Sequence, residues 1–171
     1  MSEICDYITG RLFPDTDDER IRQKIERLLI EQKGYSRQDI EVDRDFEIVI
    51  EEEVYRPKAD LIVSVEGKRF MLMRCARGSL VSREREVVSC ARILDDYQIP
   101  FAVVTNGEDA EVLETVSGEV IGNGLESIPS KEKSLEAVKQ IEFKKLQEKR
   151  IEKEKRIFLA FDAIKCPSKC D

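Results

Sequence analysis

One stretch of the sequence, DLIVSVEGKRFMLMRC, constrains the fold more than any other. Its two apolar runs, residues 60–65 and 69–75, have the length of buried strands. The connection between them is short and contains Gly67, which supplies the positive φ that a tight turn needs. The stretch therefore predicts an antiparallel hairpin in the core of the protein.

The turn determines which residues of this hairpin face one another. With residues 66–68 as the turn, Asp60 lies opposite Arg74. Ala76 lies on the same face, because alternate residues of a strand point to the same side of a sheet. The sequence therefore places a carboxylate beside a guanidinium in a segment that is otherwise apolar.

Helices and strands alternate on both sides of the hairpin. Thr16 and Glu19 form a capping box for a helix with apolar residues at helical spacing, and Gly34 ends that helix. The other elements predicted from their patterns are a half-buried strand at residues 46–50, a second helix at 82–99, a central strand at 101–105 and two weak strands flanking Ser117 and Gly118. This order predicts an α/β fold with a mixed sheet flanked by helices.

The composition changes after residue 129. Residues 130–164 form a run rich in Lys and Glu that predicts one long C-terminal helix. Residues 131–156 contain ten basic and six acidic side chains, so this segment is basic on an acidic body. We expect a core over residues 1–129 and a charged C-terminal helix with a cysteine-containing tail over residues 130–171. The helix packs on the core or mediates self-association.

Composition also limits the function. The chain has no histidine, which removes the commonest general base and metal ligand. Its net charge is −7, so any contact with nucleic acid needs a local basic patch. No apolar run reaches the ~18 residues of a membrane span, and the N-terminus lacks the pattern of a secretory signal. We therefore expect a soluble, cytoplasmic protein without a membrane partner.

The five cysteines do not form a recognisable disulfide pattern. Cys75 and Cys90 lie in apolar contexts, so we predict that they are small core residues. Cys166 and Cys170 are separated by three residues near the C-terminus, and Cys5 lies near the N-terminus. These three side chains are candidate metal ligands, with free thiols as the default interpretation because a zinc site needs a fourth ligand.

Three segments of the chain carry a family resemblance. They are RIRQKIERLLIEQKGY, RPKADLIVSVEGKRFMLMRC and YQIPFAVVTNGEDAEVLETVSGEVIG. In this order they resemble the N-terminal nuclease domain of type I restriction enzyme R subunits, a branch of the PD-(D/E)xK nuclease superfamily. The resemblance covers residues 17–129 and implies a restriction-endonuclease-like fold, with Glu31 near the position of the family's helical glutamate.

The resemblance also implies a site chemistry. In the family, an Asp on one strand and a Glu-x-Lys on its hairpin partner hold Mg²⁺ and orient the attacking water. Asp60 corresponds to the Asp and is a possible Mg²⁺ ligand. The Glu-x-Lys positions are occupied by Arg74, Cys75 and Ala76, so a cation replaces one metal ligand and the lysine head group is absent. This departure predicts an impaired nuclease site.

Three functions stay open on the sequence. The first is a protein with an impaired nuclease site that binds nucleic acid or a protein partner, with Arg74, Arg77, Arg83 and Arg85 as anion contacts. The second is an active Mg²⁺-dependent DNA nuclease in which Glu84 or Glu86 of the following helix replaces the lost metal ligand. Its candidate catalytic carboxylates are Asp60, Glu31, Glu84 and Glu86. The third is a pure interaction module in which the C-terminal helix pairs with another helix, for example in a homodimer.

Overall fold

The computed structural model describes residues 2–165, and the side chains of residues 2–163. The strands are β1 (Glu3–Cys5), β2 (Leu12–Pro14), β3 (Ile40–Asp45), β4 (Ile48–Ile50), β5 (Glu53–Tyr55), β6 (Lys58–Val65), β7 (Lys68–Cys75), β8 (Phe101–Thr105), β9 (Ala110–Glu114) and β10 (Val120–Asn123). The α-helices are α1 (Asp17–Arg27), α2 (Glu84–Ile93), α3 (Lys131–Val138) and α4 (Glu148–Lys165).

Six strands form the main sheet, in the order β10-β9-β8-β7-β6-β3. Strands β7 and β8 are parallel and are connected through α2, and every other neighbouring pair is antiparallel. The predicted α/β fold with a mixed sheet and flanking helices is therefore confirmed. The predicted central strand at residues 101–105 is β8, which lies between β7 and β9.

Two apolar clusters cover the two faces of this sheet. The α1 face includes Ile25, Leu29 and Met73. The α2 face includes Val87 and Leu72. Neighbouring residues of β7 thus contribute to opposite clusters, as the alternation of side chains along a strand requires. Because both faces are covered, β7 is apolar over most of its length and Arg74 stands out within it.

The first helix begins and ends as predicted. The Thr16 hydroxyl accepts a hydrogen bond from the backbone N–H of Glu19 at 3.1 Å, which satisfies one of the free donors at the helix start. After α1 the chain continues in a π-helical turn over Leu28–Gln32. Gly34 then takes a φ of +82°, a conformation that favours glycine, and the helix ends.

The strand prediction at residues 46–50 is only partly right. Residues 48–50 form β4, but this strand pairs with β5 in a small separate hairpin. The sheet strand next to β6 is β3, which the sequence analysis missed. Glu51 at the hairpin turn has a φ of +57°, so the acidic run after Ile50 reverses the chain.

The prediction of one long C-terminal helix from residue 130 is wrong in its extent. The segment contains two helices, α3 and α4, separated by residues 139–147. In that break the Phe143 ring packs edge-on against Tyr97, with centroids 5.0 Å apart, and the carbonyl of Lys144 accepts a hydrogen bond from Gln98 N–H. These long-range contacts outweigh the helical propensity of the segment, which is worth only tenths of a kcal/mol per residue.

Helix α4 returns to the core and packs along α2, where Phe158 is buried. Cys75 and Cys90 are buried, as predicted. None of the helices within residues 2–165 has the length and apolar character to cross a membrane. The division into a core over residues 1–129 and a charged segment over 130–171 stays a prediction.

Candidate functional site

Asp60 and Arg74 form an ion pair across β6 and β7. The two strands pair with Leu61 opposite Met73, so the next pair outward is Asp60 and Arg74. Arg74 Nη1 lies 2.7 Å from Asp60 Oδ2, within the range of a charge-assisted hydrogen bond. The hairpin register therefore places the two side chains together, as the sequence predicted.

The predicted three-residue turn is wrong, although it gave the right register. The turn contains two residues, Glu66 and Gly67, with φ values of +51° and +76°. Opposite the step from Val63 to Ser64, β7 contains one extra residue, Phe70, between Arg69 and Met71. The bulge and the shorter turn compensate for each other, so the residues beyond the bulge pair as they would after a three-residue turn.

Helix α2 adds a second carboxylate to the pair. Glu86 lies in the first turn of α2, on the side that packs against the sheet, and its Oε1 accepts a hydrogen bond of 3.1 Å from Arg74 Nε. The three side chains are largely shielded from water, with exposed fractions of 20% for Asp60, 17% for Arg74 and 5% for Glu86. We call Asp60, Arg74 and Glu86 the Arg74 triad.

The surroundings keep Arg74 charged and leave almost no open space beside the Arg74 triad. Burial acts to lower the pKa of Arg74, but the Asp60 charge and its hydrogen bond, together with Glu86, outweigh burial and raise this pKa. The backbone N–H of Cys75 donates a second hydrogen bond to Asp60 Oδ2 at 2.8 Å. The cavity beside the triad has a volume of about 10 Å³, which is space for one water molecule at most.

The Arg74 triad does not have the donor set of a metal site. A guanidinium carries only donors and cannot ligate a cation, and here it lies between the two carboxylates that could. Within residues 2–163, no group of three or more Asp, Glu, Cys or His side chains is arranged to hold a metal ion. Arg74 reduces the formal charge of the two carboxylates from −2 to −1, which weakens their attraction for a divalent ion.

Comparison with known proteins identifies the family. A family model for the N terminus of type I restriction enzyme R proteins matches residues 17–129, more than half of the chain. The chain belongs to this family. Neither a curated protein nor a solved structure matches it. The matched part of this restriction-endonuclease-like protein contains the six-stranded sheet with α1 and α2, and leaves out β1, β2, α3 and α4.

Two carboxylates predicted as catalytic in this restriction enzyme domain lie apart from the Arg74 triad. Glu31 is exposed in the turn after α1, where it accepts a hydrogen bond from the Tyr7 hydroxyl and lies 3.9 Å from Arg27. Glu84 lies against Glu111 of β9. Burial and the neighbouring Glu84 carboxylate raise the pKa of Glu111 to about 7, so this carboxyl pair holds a proton at slightly acidic pH.

The other arginines predicted as anion contacts have protein partners of their own. Arg77 pairs with Asp17 at 2.8 Å, and both side chains are mostly exposed. Arg83 Nη2 donates to the carbonyl of Arg77 at 3.1 Å. Arg85 forms two parallel hydrogen bonds of 2.8 Å with Glu154 of α4, and its side chain is 41% exposed.

The cysteine prediction concerns residues that are mostly outside the described part of the chain. Cys166 and Cys170 lie beyond residue 165. Cys5 is exposed at the end of β1, and its Sγ lies 3.3 Å from the carbonyl oxygen of Gly10. A metal site formed by these cysteines therefore stays a prediction.

Glu154 is an important charged residue that the sequence analysis missed. It is 2% exposed and accepts hydrogen bonds from Arg85, Ser89 and Arg92, each at 2.8 Å. Burial acts to raise the pKa of Glu154, but these hydrogen bonds outweigh burial and lower it to about 2. The signal in the sequence was weak, because Glu154 lies in a run of alternating Lys and Glu that is typical of an exposed helix.

A second missed cluster lies on the α1 face. Glu26 is fully buried, and burial, together with the hydrogen bond and charge of Asp6, raises its pKa to about 9. Arg22 lies 3.8 Å from carboxylate oxygens of both Asp6 and Glu26. Positions 22 and 26 flank Ile25 on the apolar side of α1, so the helical spacing contained a signal for this cluster.

Proposed function

We propose that this restriction-endonuclease-like protein has an impaired nuclease site and acts by binding nucleic acid. The observation that carries the proposal is the position of Arg74, whose guanidinium bridges Asp60 and Glu86 at 2.7 and 3.1 Å. In a PD-(D/E)xK interpretation this is the place of a carboxylate that helps to hold Mg²⁺. The Arg74 guanidinium then takes the place of the metal cation.

The residues of the site do not fit Mg²⁺. A metal ion on Asp60 would have to displace a guanidinium that donates charge-assisted hydrogen bonds to two carboxylates. The lysine position is Ala76, which is fully buried and has no group that could orient or activate a water. Both replacements remove a requirement of catalysis: Arg74 removes the metal site, and Ala76 removes the group that activates water. The domain keeps the scaffold of the nuclease.

Relocation of the catalytic carboxylates to α2 fits the geometry less well. Glu86 is the relocated candidate nearest to Asp60, but Arg74 lies between them and binds both. Glu84 forms its contact with Glu111 of β9. A relocated site would need Glu84 or Glu86 to share a metal with Asp60, and for Glu86 this means a displacement of Arg74 from between the two carboxylates.

Nucleic-acid binding is supported by the arginines around the start of α2. The Arg77 side chain is 74% exposed, and its partner Asp17 is 66% exposed, so water can replace this ion pair at low cost. Arg85 also keeps a 41% exposed side chain. We propose that Arg77, Arg83 and Arg85 contact phosphates, while Arg74 substitutes for the metal and holds the site together.

A protein partner is the second candidate, because of the edge of the sheet. Strand β10 is the last strand of the sheet, and its Val120 and Ile121 are 40% and 54% exposed. An edge strand with apolar side chains is a surface that another chain can extend by strand pairing. A second copy of this chain bound there would give a homodimer.

Two assays test the proposal. Incubation of supercoiled plasmid with micromolar protein and Mg²⁺ or Mn²⁺ is expected to give no nicking above the background of buffer alone. Robust nicking that Asp60→Ala abolishes would contradict the impaired site. Fluorescence anisotropy with duplex DNA is expected to show binding that weakens steeply with salt. Absence of DNA and RNA binding at low salt, together with a stable dimer in solution, would favour the protein partner.

A further inference from the structure

A second basic site lies away from the Arg74 triad, between α2, α4 and the β9–β10 turn. It is an open cavity of about 480 Å³, which is within the usual range for small-molecule sites. Arg85 and Arg92 of α2 and Arg150 of α4 line it, together with Gly118 of the turn and one acid, Glu84. We call this cavity the arginine pocket.

Glu154, which is buried and does not line the cavity, orients two of these arginines. Arg85 binds Glu154 through both of its terminal nitrogens, and Arg92 Nη1 binds the same carboxylate, all at 2.8 Å. Arg92 is fixed further by the carbonyls of Thr115 and Val116. Both guanidinium groups are therefore oriented before a ligand arrives, which reduces the entropy that binding must remove.

The two oriented arginines differ in how accessible they are to a ligand. Each guanidinium has five N–H groups, of which the two terminal nitrogens of Arg85 and all three nitrogens of Arg92 already donate one or more hydrogen bonds. The Arg85 side chain is 41% exposed and the Arg92 side chain 7% exposed, so Arg85 is the more accessible donor. Gly118 opens the approach to Arg92, because a side chain at this position would begin 3.5 Å from Arg92 Nη2. The φ of Gly118 is +77°, so the turn itself also favours glycine.

Arg150 adds a positive charge to the arginine pocket. Its side chain is exposed, and it takes part in none of the ion pairs or side-chain hydrogen bonds found within residues 2–163. The lining holds three arginines and one carboxylate, Glu84, which is in contact with Glu111. The buried Glu154 pairs with Arg85 and Arg92. Planar guanidinium groups that converge from two helices match the tetrahedral oxygens of a phosphate.

We propose that the arginine pocket binds a phosphate group, carried either by a nucleic-acid backbone or by a small phosphoester. Arg85, Arg92 and Arg150 supply the hydrogen bonds, and Glu154 acts as a positioning residue that does not touch the ligand. The nucleic-acid source rests on the proposed function, whereas phosphate binding itself does not. The two ideas can therefore fail separately.

Nuclear magnetic resonance of the full chain tests phosphate binding directly. Titration with inorganic phosphate at constant ionic strength is expected to shift the Nε–H signals of Arg85, Arg92 and Arg150 and the amide of Gly118 in a saturable way. Sulfate-free chloride buffer at the same ionic strength is the reference. Signals that do not move, or that move linearly and equally for exposed arginines elsewhere, would overturn the proposal.

Arg150→Gln and Lys149→Gln form a matched pair of variants. Both remove one positive charge from neighbouring exposed positions of α4, but only Arg150 lines the arginine pocket. Arg150→Gln is expected to weaken phosphate binding roughly tenfold, the equivalent of one hydrogen bond to a charged group. Lys149→Gln is expected to change it less than about twofold. Equal effects would show that only net charge matters and would overturn the site.

The source of the phosphate is identified with two further ligands. A 5′-phosphorylated nucleotide and a duplex DNA are titrated into the parent chain and into both variants. If the nucleic-acid backbone is the source, Arg150→Gln weakens DNA binding and Lys149→Gln has a smaller effect. If only the nucleotide responds to Arg150→Gln, the ligand is a small phosphoester. Both results support phosphate binding in the arginine pocket. If Arg150→Gln changes the affinity for neither the nucleotide nor the DNA, the proposal is contradicted.

Discussion

Replacing Arg74 by methionine removes the cation from between Asp60 and Glu86 and keeps a side chain of similar length. The variant leaves two carboxylates in a site where their exposed fractions are 20% and 5%. Removal of one partner of a buried ion pair costs about 3–5 kcal/mol. Because Asp60 keeps some contact with water, we expect the lower end, about 3 kcal/mol.

Urea unfolding followed by circular dichroism measures this loss in the free energy of unfolding. Thermal unfolding measures the matching fall in Tm. For a chain of this size 1 kcal/mol corresponds to about 2–4 °C, so the Tm of Arg74→Met falls by about 6–12 °C.

Two controls separate the bridge from other effects. Arg77→Met removes an arginine from an exposed ion pair and is expected to cost less than about 1 kcal/mol. The triple variant Asp60→Asn/Arg74→Met/Glu86→Gln removes all three charges and is expected to be more stable than Arg74→Met alone. If Arg74→Met costs no more than Arg77→Met, Arg74 does not bridge the two carboxylates and the account of the site is wrong.

Three further changes have definite expected outcomes. Burial and Asp6 raise the pKa of Glu26 from 4.5 to about 9, so unfolding releases a proton and stability falls as pH rises between these values; Glu26→Gln flattens this fall in urea titrations from pH 5 to 9. The pKa of Glu154 is lowered to about 2, so its contribution is present above pH 4.5 and is lost as pH falls towards 2; Glu154→Gln lowers the stability at pH 7 and removes this acid-dependent loss. Arg74→Glu brings three carboxylates together and is expected to bind Mn²⁺ in electron paramagnetic resonance titrations, where the parent chain does not.

The hairpin at the site was predictable because its information is local. The apolar runs, the glycine in the turn and the alternation of side chains were sufficient to pair Asp60 with Arg74. The turn length was predicted wrongly, and the pairing was kept because an extra residue in β7, Phe70, restored the register. A bulge leaves little trace in the sequence, so agreement at this point depended on two compensating irregularities.

The features that sequence reasoning missed depend on contacts between distant parts of the chain. Glu154 is buried because α4 folds back along α2, and the local pattern around Glu154 is that of an exposed helix. The break at residues 139–147 depends on Tyr97 and Gln98, which lie more than 40 positions earlier in the sequence. Propensity alone cannot supply this information, since tertiary contacts outweigh it.

The central claim is that the Arg74 guanidinium occupies the place of a metal ion on Asp60. Crystals of the parent chain soaked in Mn²⁺, with anomalous scattering measured at the manganese edge, test it directly. We expect no manganese on the Asp60 carboxylate, with Arg74 still within hydrogen-bond distance of Asp60 and Glu86. A manganese ion bound to Asp60, with Arg74 turned away from both carboxylates, would contradict the claim.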